Sequence, residues 1–477
     1  MNLLTNLSLQ ARTHLRLTSR LNVSKKFLLL LSFLVSITGF SAQAANCISA
    51  EDMTDIASHF SQFSNLSGKE FCHDGSETAN LLATLMFMRK NQFAADMKPS
   101  TDELFSGKFA NSWYKYFTER INEMTIDTGC PKGVAAYVYG FGGNTMYVCS
   151  AALNDNFSAL DRASIFMHEA RHIDGYPHIT CSTGPRKGLQ GACDTRISDT
   201  GSYAVTVETY AQLAKYSSDL HPALKAYARS AAVIYADEAF EVPVQIQRET
   251  QLLLMTQGKD LLGLKMGSSG PLENLGQTPV LGHIIMRAQH MVLLPDDRTL
   301  PMKFLFVKNV GDIAQSPGDA FTEYNGQTPE QRSEFVDFQS GTLWNAKVYK
   351  SKIVFSCDAR SAAKSEQVFT GTKAVGILHL TGYDRNAKMN FVATEDGAIY
   401  EFGCNEQLNS FLRPSTVKVD QHFKRIHKTG DGLVGLATDG HLYQLKDLKS
   451  SPLNTAVDGQ IYEIAPRQVF NFFDSTN

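Results

Sequence analysis

Three histidines and one glutamate fall within eleven residues, in the stretch HEARHIDGYPH at 168–178. His168 and His172 are four residues apart, so on a helix both imidazoles project from one face, one turn apart. Two such imidazoles can bind one zinc ion, and the adjacent Glu169 can then reach a metal-bound water. With the carboxylate as general base, this water can attack a carbonyl carbon. The stretch therefore predicts a site whose cofactor is Zn²⁺ and whose chemistry is hydrolysis.

A zinc ion that does chemistry needs a third protein ligand and one open position. His178 is the first candidate, because Gly175 can adopt a left-handed conformation and turn the chain back toward the metal. Glu208, in the segment VETYA of a predicted helix, is the alternative third ligand. If Glu208 binds the metal, His178 becomes a supporting or substrate-binding residue. The Gly175 turn favours His178, and the sequence leaves both open.

The pattern H-E-x-x-H-x-x-G-x-x-H, complete in this stretch, resembles that of the metzincin metallopeptidases. The resemblance implies that His168, His172 and His178 bind zinc and that Glu169 is the general base. It also implies a β-strand beside the helix that holds the substrate extended, and NTMYVCS at 144–150 is placed to be that strand. Under this resemblance the chain is a peptidase with a protein or peptide substrate.

Two further features bear on the resemblance. Metzincins have a methionine turn after the third histidine, and the next methionine here is Met255, within the apolar run QLLLMTQG. The spacing of Glu208 from His172 is similar to that of the third-ligand helix in gluzincin peptidases. Met255 is more typical of a core residue.

The histidine pair must be held by a helix, and the local sequence predicts one at about 159–174. Ser158 and Asp161 form a capping-box pattern at its start, with Asp in place of the usual Glu. Gly175 suits the position after the helix, and Pro177 prevents it from continuing.

Four neighbouring residues are weaker candidates for the site. Asp174 and Asp194 could accept hydrogen bonds from ligand histidines. Tyr176 and Tyr203 could donate to a developing oxyanion. Roles at a helix end or in a turn are more typical of the two aspartates, and packing is more typical of the two tyrosines.

The N-terminal residues have the pattern of a secretory signal peptide. Five basic residues and no acidic residue precede the apolar run FLLLLSFLV, and an A-x-A site ends at Ala44. We expect cleavage there, no integral membrane segment afterwards, and a periplasmic or extracellular location. Without residues 1–44 the chain has 40 basic and 48 acidic residues, a net charge of −8 that argues against a nucleic-acid partner.

All eight cysteines follow the signal peptide, which predicts disulfide bonds in an exported protein. Sequential pairing is the simplest arrangement, because it closes four short loops. Sequence alone does not fix it.

The C-terminal part has short β-type runs and tight turns. FVATEDGAIYEF at 391–402 and VGLATDGHLYQL at 434–445 both indicate a strand, an Asp-Gly turn and a second strand. Their glycines, Gly397 and Gly440, are 43 residues apart, a spacing typical of β-propeller repeats. An antiparallel sandwich with similar hairpins is the alternative.

These observations together predict an α+β chain. It has a signal peptide at 1–44, a mainly helical zincin-like metallopeptidase domain at 45–270, and an all-β, propeller-like domain at 280–477. The expected function is a secreted zinc metallopeptidase. Two alternatives are a zinc amidase that acts on cell-wall peptides and a non-catalytic secreted binding protein with a structural metal. The sequence does not indicate an oligomeric state.

Overall fold

The structure is a computed structural model that describes most of the chain after residue 46. The described residues are 47–91, 113–131, 134–140, 143–154, 157–184, 186–217, 220–246, 248–266, 271–287, 290–306, 312–315, 324–340, 344–357, 365–380, 389–405, 409–429 and 432–470. The described residues from Ile48 onward belong to one compact unit. The predicted signal peptide lies outside the described residues. Among the helices that are described, none has both the length and the apolar character needed to cross a bilayer.

Helices lie mainly in the first half of the described chain. The α-helices are α1 (Ala50–His59), α2 (Glu77–Lys90), α3 (Trp113–Thr118), α4 (Ala159–Ile173), α5 (Ser202–Tyr216), α6 (Pro222–Glu238) and α7 (Pro329–Ser333). Short 3₁₀ helices span Ser61–Leu66, Ser150–Ala152 and Ile197–Asp199.

Helix α4 carries the histidine pair and begins where the sequence predicts. The Ser158 hydroxyl accepts a hydrogen bond from the Asp161 amide at 3.0 Å, and the Asp161 carboxylate accepts one from the Ser158 amide at 3.4 Å. This capping box satisfies amides that the first helical turn leaves unpaired. On the buried face, Phe166 stacks on Phe117 of α3 with ring centroids 5.6 Å apart. Helices α2, α3 and α5 and strand β4 all pack against α4, which fixes its position.

Five short strands precede the helix-rich segment of 159–238. They are β1 (Cys47–Ile48), β2 (Phe71–Cys72), β3 (Glu123–Asp127), β4 (Ala136–Val138) and β5 (Thr145–Cys149). The last three form a sheet of order β3-β5-β4, in which β5 is parallel to β3 and antiparallel to β4. A disulfide between Cys130 and Cys149 ties the end of β5 to the loop after β3.

From residue 248 onward the described chain is almost entirely β-strand. The strands are β6 (Arg248–Thr256), β7 (Asp260–Lys265), β8 (Glu273–Gln277), β9 (Gly282–Arg287), β10 (His290–Pro295), β11 (Lys303–Phe306), β12 (Asp312–Gln315), β13 (Phe335–Ser340), β14 (Trp344–Tyr349), β15 (Lys352–Cys357), β16 (Ser365–Thr370), β17 (Ala374–Leu378), β18 (Met389–Thr394), β19 (Ile399–Cys404), β20 (Ser410–Pro414), β21 (Phe423–Thr429), β22 (Gly432–Ala437), β23 (Leu442–Lys446), β24 (Lys449–Pro452) and β25 (Ile461–Phe470).

These strands form a closed β-propeller. Within the described residues they make five antiparallel sheets of four strands, of which four are consecutive meanders starting at β9, β13, β17 and β21. The fifth sheet has the order β25-β6-β7-β8, so the last strand pairs with the first. Strands β9, β13, β17, β21 and β25 each contact the next around the ring, and β25 contacts β9. This closure joins the two ends of the strand series and confirms the predicted propeller-like repeat.

The hairpins that indicated the repeat are present. Strands β18 and β19 flank the turn at Gly397, and β22 and β23 flank the turn at Gly440. Both glycines have positive φ, +80° and +84°, which explains why glycine follows aspartate in each turn.

Six cysteines pair in the sequential order expected. The bonds are Cys130–Cys149, Cys181–Cys193 and Cys357–Cys404. Cys47 and Cys72 are also disulfide-bonded. This confirms the predicted disulfides and fits an exported protein.

The predicted fold class, a mainly helical zincin-like domain before an all-β domain, is wrong. Most described elements are short strands in small sheets, and no helical zincin domain is formed by the described residues. Residues 248–265, expected in the helical part, form β6 and β7 of the propeller. A short apolar run such as QLLLM fits a buried strand as well as a helix, and the sequence pattern could not separate the two. The predicted domain boundaries at 270 and 280 remain a prediction.

The metzincin resemblance is also wrong. Met255 is buried in β6 opposite Leu261 and Glu463, so it forms no methionine turn beneath a metal. Strand β5, expected to hold a substrate, is the central strand of its sheet and pairs with β3 and β4 on its two sides. Its edges are therefore occupied by the chain itself and cannot bind an extended peptide. The resemblance is confined to residues 168–178.

Candidate metal centre

The structure brings His168, His172 and His178 together. One ring nitrogen from each lies within 4.8 Å of the others, and the three form the group most suited to a metal among the described residues. The ring centroids are 5.1 Å apart for His168 and His172, and 4.5 Å apart for His172 and His178. All three are half-buried and line one pocket.

Local structure explains how the third histidine reaches the pair. Helix α4 ends at Ile173, and Gly175 then adopts φ +88°, a conformation that residues with a Cβ rarely take. His178 follows this turn. The next residue, Ile179, forms a backbone bridge with Cys193, which anchors the returning chain.

A hydroxyl group orients His168. Its Nδ1 lies 2.9 Å from the Thr206 hydroxyl, which itself donates to the Ser202 carbonyl at 3.2 Å. Because the Thr206 proton is used in that bond, Nδ1 of His168 is the donor to the hydroxyl oxygen. The Nε2 atom of His168 is therefore left with its lone pair.

Pure acceptors orient the other two imidazoles. Nδ1 of His172 lies 2.6 Å from the carbonyl oxygen of Tyr176, and Nδ1 of His178 lies 3.0 Å from the carboxylate of Asp194. Both Nδ1 atoms must donate in these bonds, so both Nε2 atoms keep their lone pairs. Ligand histidines in metal sites are held in the same manner.

The consequence is visible between His168 and His178. Their Nε2 atoms, each with a lone pair, are only 2.9 Å apart. Two lone pairs at this distance repel each other unless a cation lies between them. Burial and the two neighbouring imidazoles hold the pKa of His168 well below its usual value, and burial lowers that of His172. The donor set fits a metal ion that prefers imidazole nitrogen.

Glu169 lines the pocket beside the three histidines. Its side chain is buried, and burial raises its pKa to about 8. The predicted zinc metallopeptidase is wrong, because β5 has no free edge for a substrate and most described elements are strands of small sheets.

The remaining predicted residues have separate positions. Glu208 is buried on α5, accepts a hydrogen bond from Gln212 at 2.6 Å and does not join the histidine group. Asp174 binds Arg120 at 2.8 Å and Arg171 at 2.7 Å, so it serves the helix end rather than the site. Asp194 does orient a histidine, as described above.

The two tyrosines also differ. The ring of Tyr203 lies 4.8 Å from that of His168 and 4.5 Å from that of His178, so it flanks the group. The ring of Tyr176 packs under the Arg171 guanidinium at 3.8 Å, away from the imidazoles. Tyr176 contributes to the site through its carbonyl oxygen.

Sequence reasoning missed Thr206, Ser202 and Arg186. Thr206 is 38 residues from the histidine it orients, so no local spacing links them. Arg186 lines the same pocket from the loop between Cys181 and Cys193. Its only sequence signal is a basic residue inside a disulfide loop next to His178.

Comparisons with known proteins give only distant matches. No known protein family and no curated protein matches the chain. Solved structures that match include a provisionally assigned 6-phosphogluconolactonase from Bacteroides uniformis, with 11% identity, TM-score 0.25, and coverage of 45% of this chain and 71% of that one. AztD from Citrobacter koseri matches with 14% identity, TM-score 0.23, and coverage of 46% and 61%. BamB from Moraxella catarrhalis matches with 9% identity, TM-score 0.20, and coverage of 43% and 60%.

These three matches have propeller-type folds, and none is a metzincin. At such TM-scores they carry no information on function, and the propeller assignment rests on the sheet order itself. Of the three functions considered from sequence, the secreted binding protein agrees best with the structure.

Proposed function

We propose that this chain is an exported, non-catalytic binding protein whose three-histidine centre binds Zn²⁺. The observation that carries the proposal is the orientation of His168, His172 and His178. Each Nδ1 donates to an outer acceptor, which leaves each Nε2 with its lone pair, and one ring nitrogen from each histidine lies within 4.8 Å of the others. These three residues are the proposed ligands. The location is an oxidising compartment outside the cytoplasm, either periplasmic or extracellular.

The ligand chemistry supports zinc over other abundant cations. Calcium and magnesium prefer oxygen ligands, whereas imidazole suits zinc and the late transition metals. Zinc accepts four ligands in a tetrahedral arrangement. Three come from this chain, so the fourth position is open to a molecule from solution. An open fourth position suits a protein that binds a ligand through its metal.

Hydrolysis is not part of the proposal. Glu169, the carboxyl group next to the ligands, is buried, and burial raises its pKa to about 8. The propeller that makes up the second half of the described chain is a scaffold found with many functions, so it adds no specific activity.

Zinc stoichiometry tests the proposal. The mature chain from residue 45, produced in an oxidising compartment, is dialysed against trace zinc and measured by elemental mass spectrometry. We expect one zinc per chain in the wild type and less than a tenth of that in His178→Gln.

His441→Gln is the matched control. His441 also hydrogen-bonds a carboxylate through Nδ1, with Asp458 at 2.7 Å, but it lies on the propeller surface. It should retain full zinc. A wild type without zinc after supplementation, or a His178→Gln variant with full zinc, would overturn the proposal.

A further inference from the structure

The pocket above the histidines is much larger than a metal ion requires. Its volume is about 750 Å³, within the range of small-molecule sites. The chain from Val134 to Val138 contributes to its lining, as do Phe157 and Ile165. Much of this lining is therefore carbon, which favours a ligand with an apolar body.

One cationic side chain enters the same pocket. Arg186 is 18% exposed, and its Nη1 donates to the Ala192 carbonyl at 3.1 Å. Its Nη2 lies 3.6 Å from Glu238, and its guanidinium carbon lies 5.1 Å from the ring centre of Tyr203. These contacts use only part of the five N–H donors of a guanidinium, so the group can also pair with an anion.

The loop that carries Arg186 is built into the metal centre. A disulfide between Cys181 and Cys193 closes it, and the amide of Gly188 donates to the Cys181 carbonyl at 2.7 Å. His178 lies just before the loop and Asp194 just after it, and these two residues are hydrogen-bonded at 3.0 Å. Both ends of the loop are thus fixed at the histidines, which places Arg186 reproducibly beside them.

Two positive groups in the pocket can bind an anion. Three imidazole ligands leave the fourth position of a zinc ion open. Arg186 lies in the same pocket with its Nη2 3.6 Å from Glu238, while Asp194 faces His178 and Glu169 also lines the pocket. A carboxylate suits both positive groups, since it can coordinate zinc and accept from a guanidinium.

We propose that this pocket binds a small organic carboxylate with an apolar body, whose carboxylate coordinates the zinc and pairs with Arg186. The inference rests on the proposed zinc centre. The chain supplies the cation that selects the anionic end of the ligand, and the residues around Val134–Val138 contact its body.

Isothermal titration of the zinc-loaded mature protein with 3-phenylpropionate tests the proposal. We expect binding of this acid, at least tenfold weaker binding of propionate, and no binding of 3-phenylpropylamine. Arg186→Gln should bind 3-phenylpropionate at least tenfold more weakly than the wild type while retaining one zinc per chain. The affinity of Arg186→Lys should lie between those of the wild type and Arg186→Gln. These ratios follow from the loss of a partly buried, charge-assisted hydrogen bond.

Arg413→Gln is the matched control, because Arg413 also pairs with a carboxylate, Glu401 at 2.8 Å, and packs over the ring of Phe411 on the propeller. It should bind the acid like the wild type. Replacing zinc with cobalt adds a spectroscopic readout, since an inner-sphere carboxylate changes the visible absorption of Co²⁺.

The outcomes separate the two proposals. A protein that binds zinc but not 3-phenylpropionate, that binds the acid and the amine equally, or that shows no change in the cobalt spectrum would overturn the carboxylate site alone. A protein that binds no zinc would overturn both. If Arg186→Gln fails to fold, the carboxylate site is still tested by comparing the binding of 3-phenylpropionate and 3-phenylpropylamine to the wild type.

Discussion

The described residues include two groups of three histidines, and one of these two is built for a metal. The first is the metal centre of His168, His172 and His178. The second lies where the innermost propeller strands meet, with His283 on β9, His427 on β21 and His379 just after β17. Asp337, Arg425 and Glu463 complete this second group, which we call the axis cluster.

In the axis cluster four of the six ring nitrogens have polar partners in the protein, namely both of His283, Nδ1 of His379 and Nε2 of His427. His283 faces Glu463 with Nδ1 and Asp337 with Nε2, both at 3.0 Å, and these carboxylates raise its pKa against the effect of burial. His379 and His427 stack in parallel with ring centroids 4.9 Å apart. Nε2 of His427 donates to the Ile464 carbonyl at 3.0 Å. No common point therefore receives three lone pairs from these imidazoles.

The comparison teaches that the partner of the second ring nitrogen decides what a histidine does. In the metal centre, outer acceptors take the Nδ1 protons and leave the Nε2 lone pairs free. In the axis cluster, the carboxylates of Asp337 and Glu463 surround the His283 imidazole and the Arg425 guanidinium, and the result is a buried network of polar and charged groups. The following predictions test this division, from the largest expected effect to the smallest.

Asp337→Ala should cause the largest loss of stability. It leaves His283 and Arg425 buried with one carboxylate between them, and breaking a buried ion pair in this way costs about 3–5 kcal/mol. Urea unfolding measures the change. Zinc stoichiometry should not change, because the variant leaves the metal centre intact.

The control for this variant is Asp458→Ala, which removes the partner of the surface residue His441. It should leave the unfolding midpoint nearly unchanged. Equal unfolding midpoints for the two variants would show that the axis cluster does not act as a buried network.

Acid should destabilise the propeller through His379. Burial lowers its pKa to about 4, below the unfolded value of 6.5, so the unfolded chain binds the proton first. Stability from this group is complete above pH 6.5 and is lost as pH falls toward 4, with a slope of at most about 1.4 kcal/mol per pH unit.

His379→Gln should flatten the unfolding free energy between pH 6.5 and 4, measured in a chelator so that metal binding does not contribute. His441→Gln should keep the wild-type slope in this range. A slope that is the same in His379→Gln and the wild type would contradict the role of the axis imidazole.

Zinc should stabilise the protein only through the metal centre. At a free zinc concentration of 100 times the dissociation constant, the free energy of unfolding should increase by about 2.7 kcal/mol. The gain should vanish in His172→Gln and persist in His427→Gln, even though the latter starts from lower stability. Thermal unfolding with and without zinc measures both. If zinc does not stabilise His427→Gln, the metal centre and the axis cluster do not differ in the way proposed.

Asp194→Asn should weaken zinc binding about 10–100-fold, because it weakens the hydrogen bond that fixes the His178 ring. Competition with a chromophoric chelator measures the affinity. Asp174→Asn is the control, since Asp174 contacts Arg120 and Arg171 instead of a ligand. An equal effect from both variants would show that orientation of His178 is unimportant.

The sequence predicted the local parts of this molecule well. The capping box at Ser158 located helix α4, and the Asp-Gly turns at Gly397 and Gly440 located two propeller hairpins. Gly175 correctly indicated the return of His178 toward the pair. All these signals lie within a few residues of the feature that they predict.

The errors concern contacts between distant segments. Met255 and its apolar run belong to the strand that closes the ring with β25, more than 200 residues later in the chain, and no local pattern records that pairing. No local pattern indicates that β5 lies between β3 and β4 in its sheet. The same limit applies to Thr206 and Arg186, whose roles depend on where separate elements meet.

X-ray absorption at the zinc edge of the zinc-loaded mature protein tests the central claim most directly. The account predicts three imidazole nitrogens at about 2.0–2.1 Å and one further light atom, with no sulfur. Loss of imidazole scattering in His178→Gln should accompany loss of zinc. A shell of oxygen atoms alone, or an unchanged three-imidazole spectrum in His178→Gln, would contradict it.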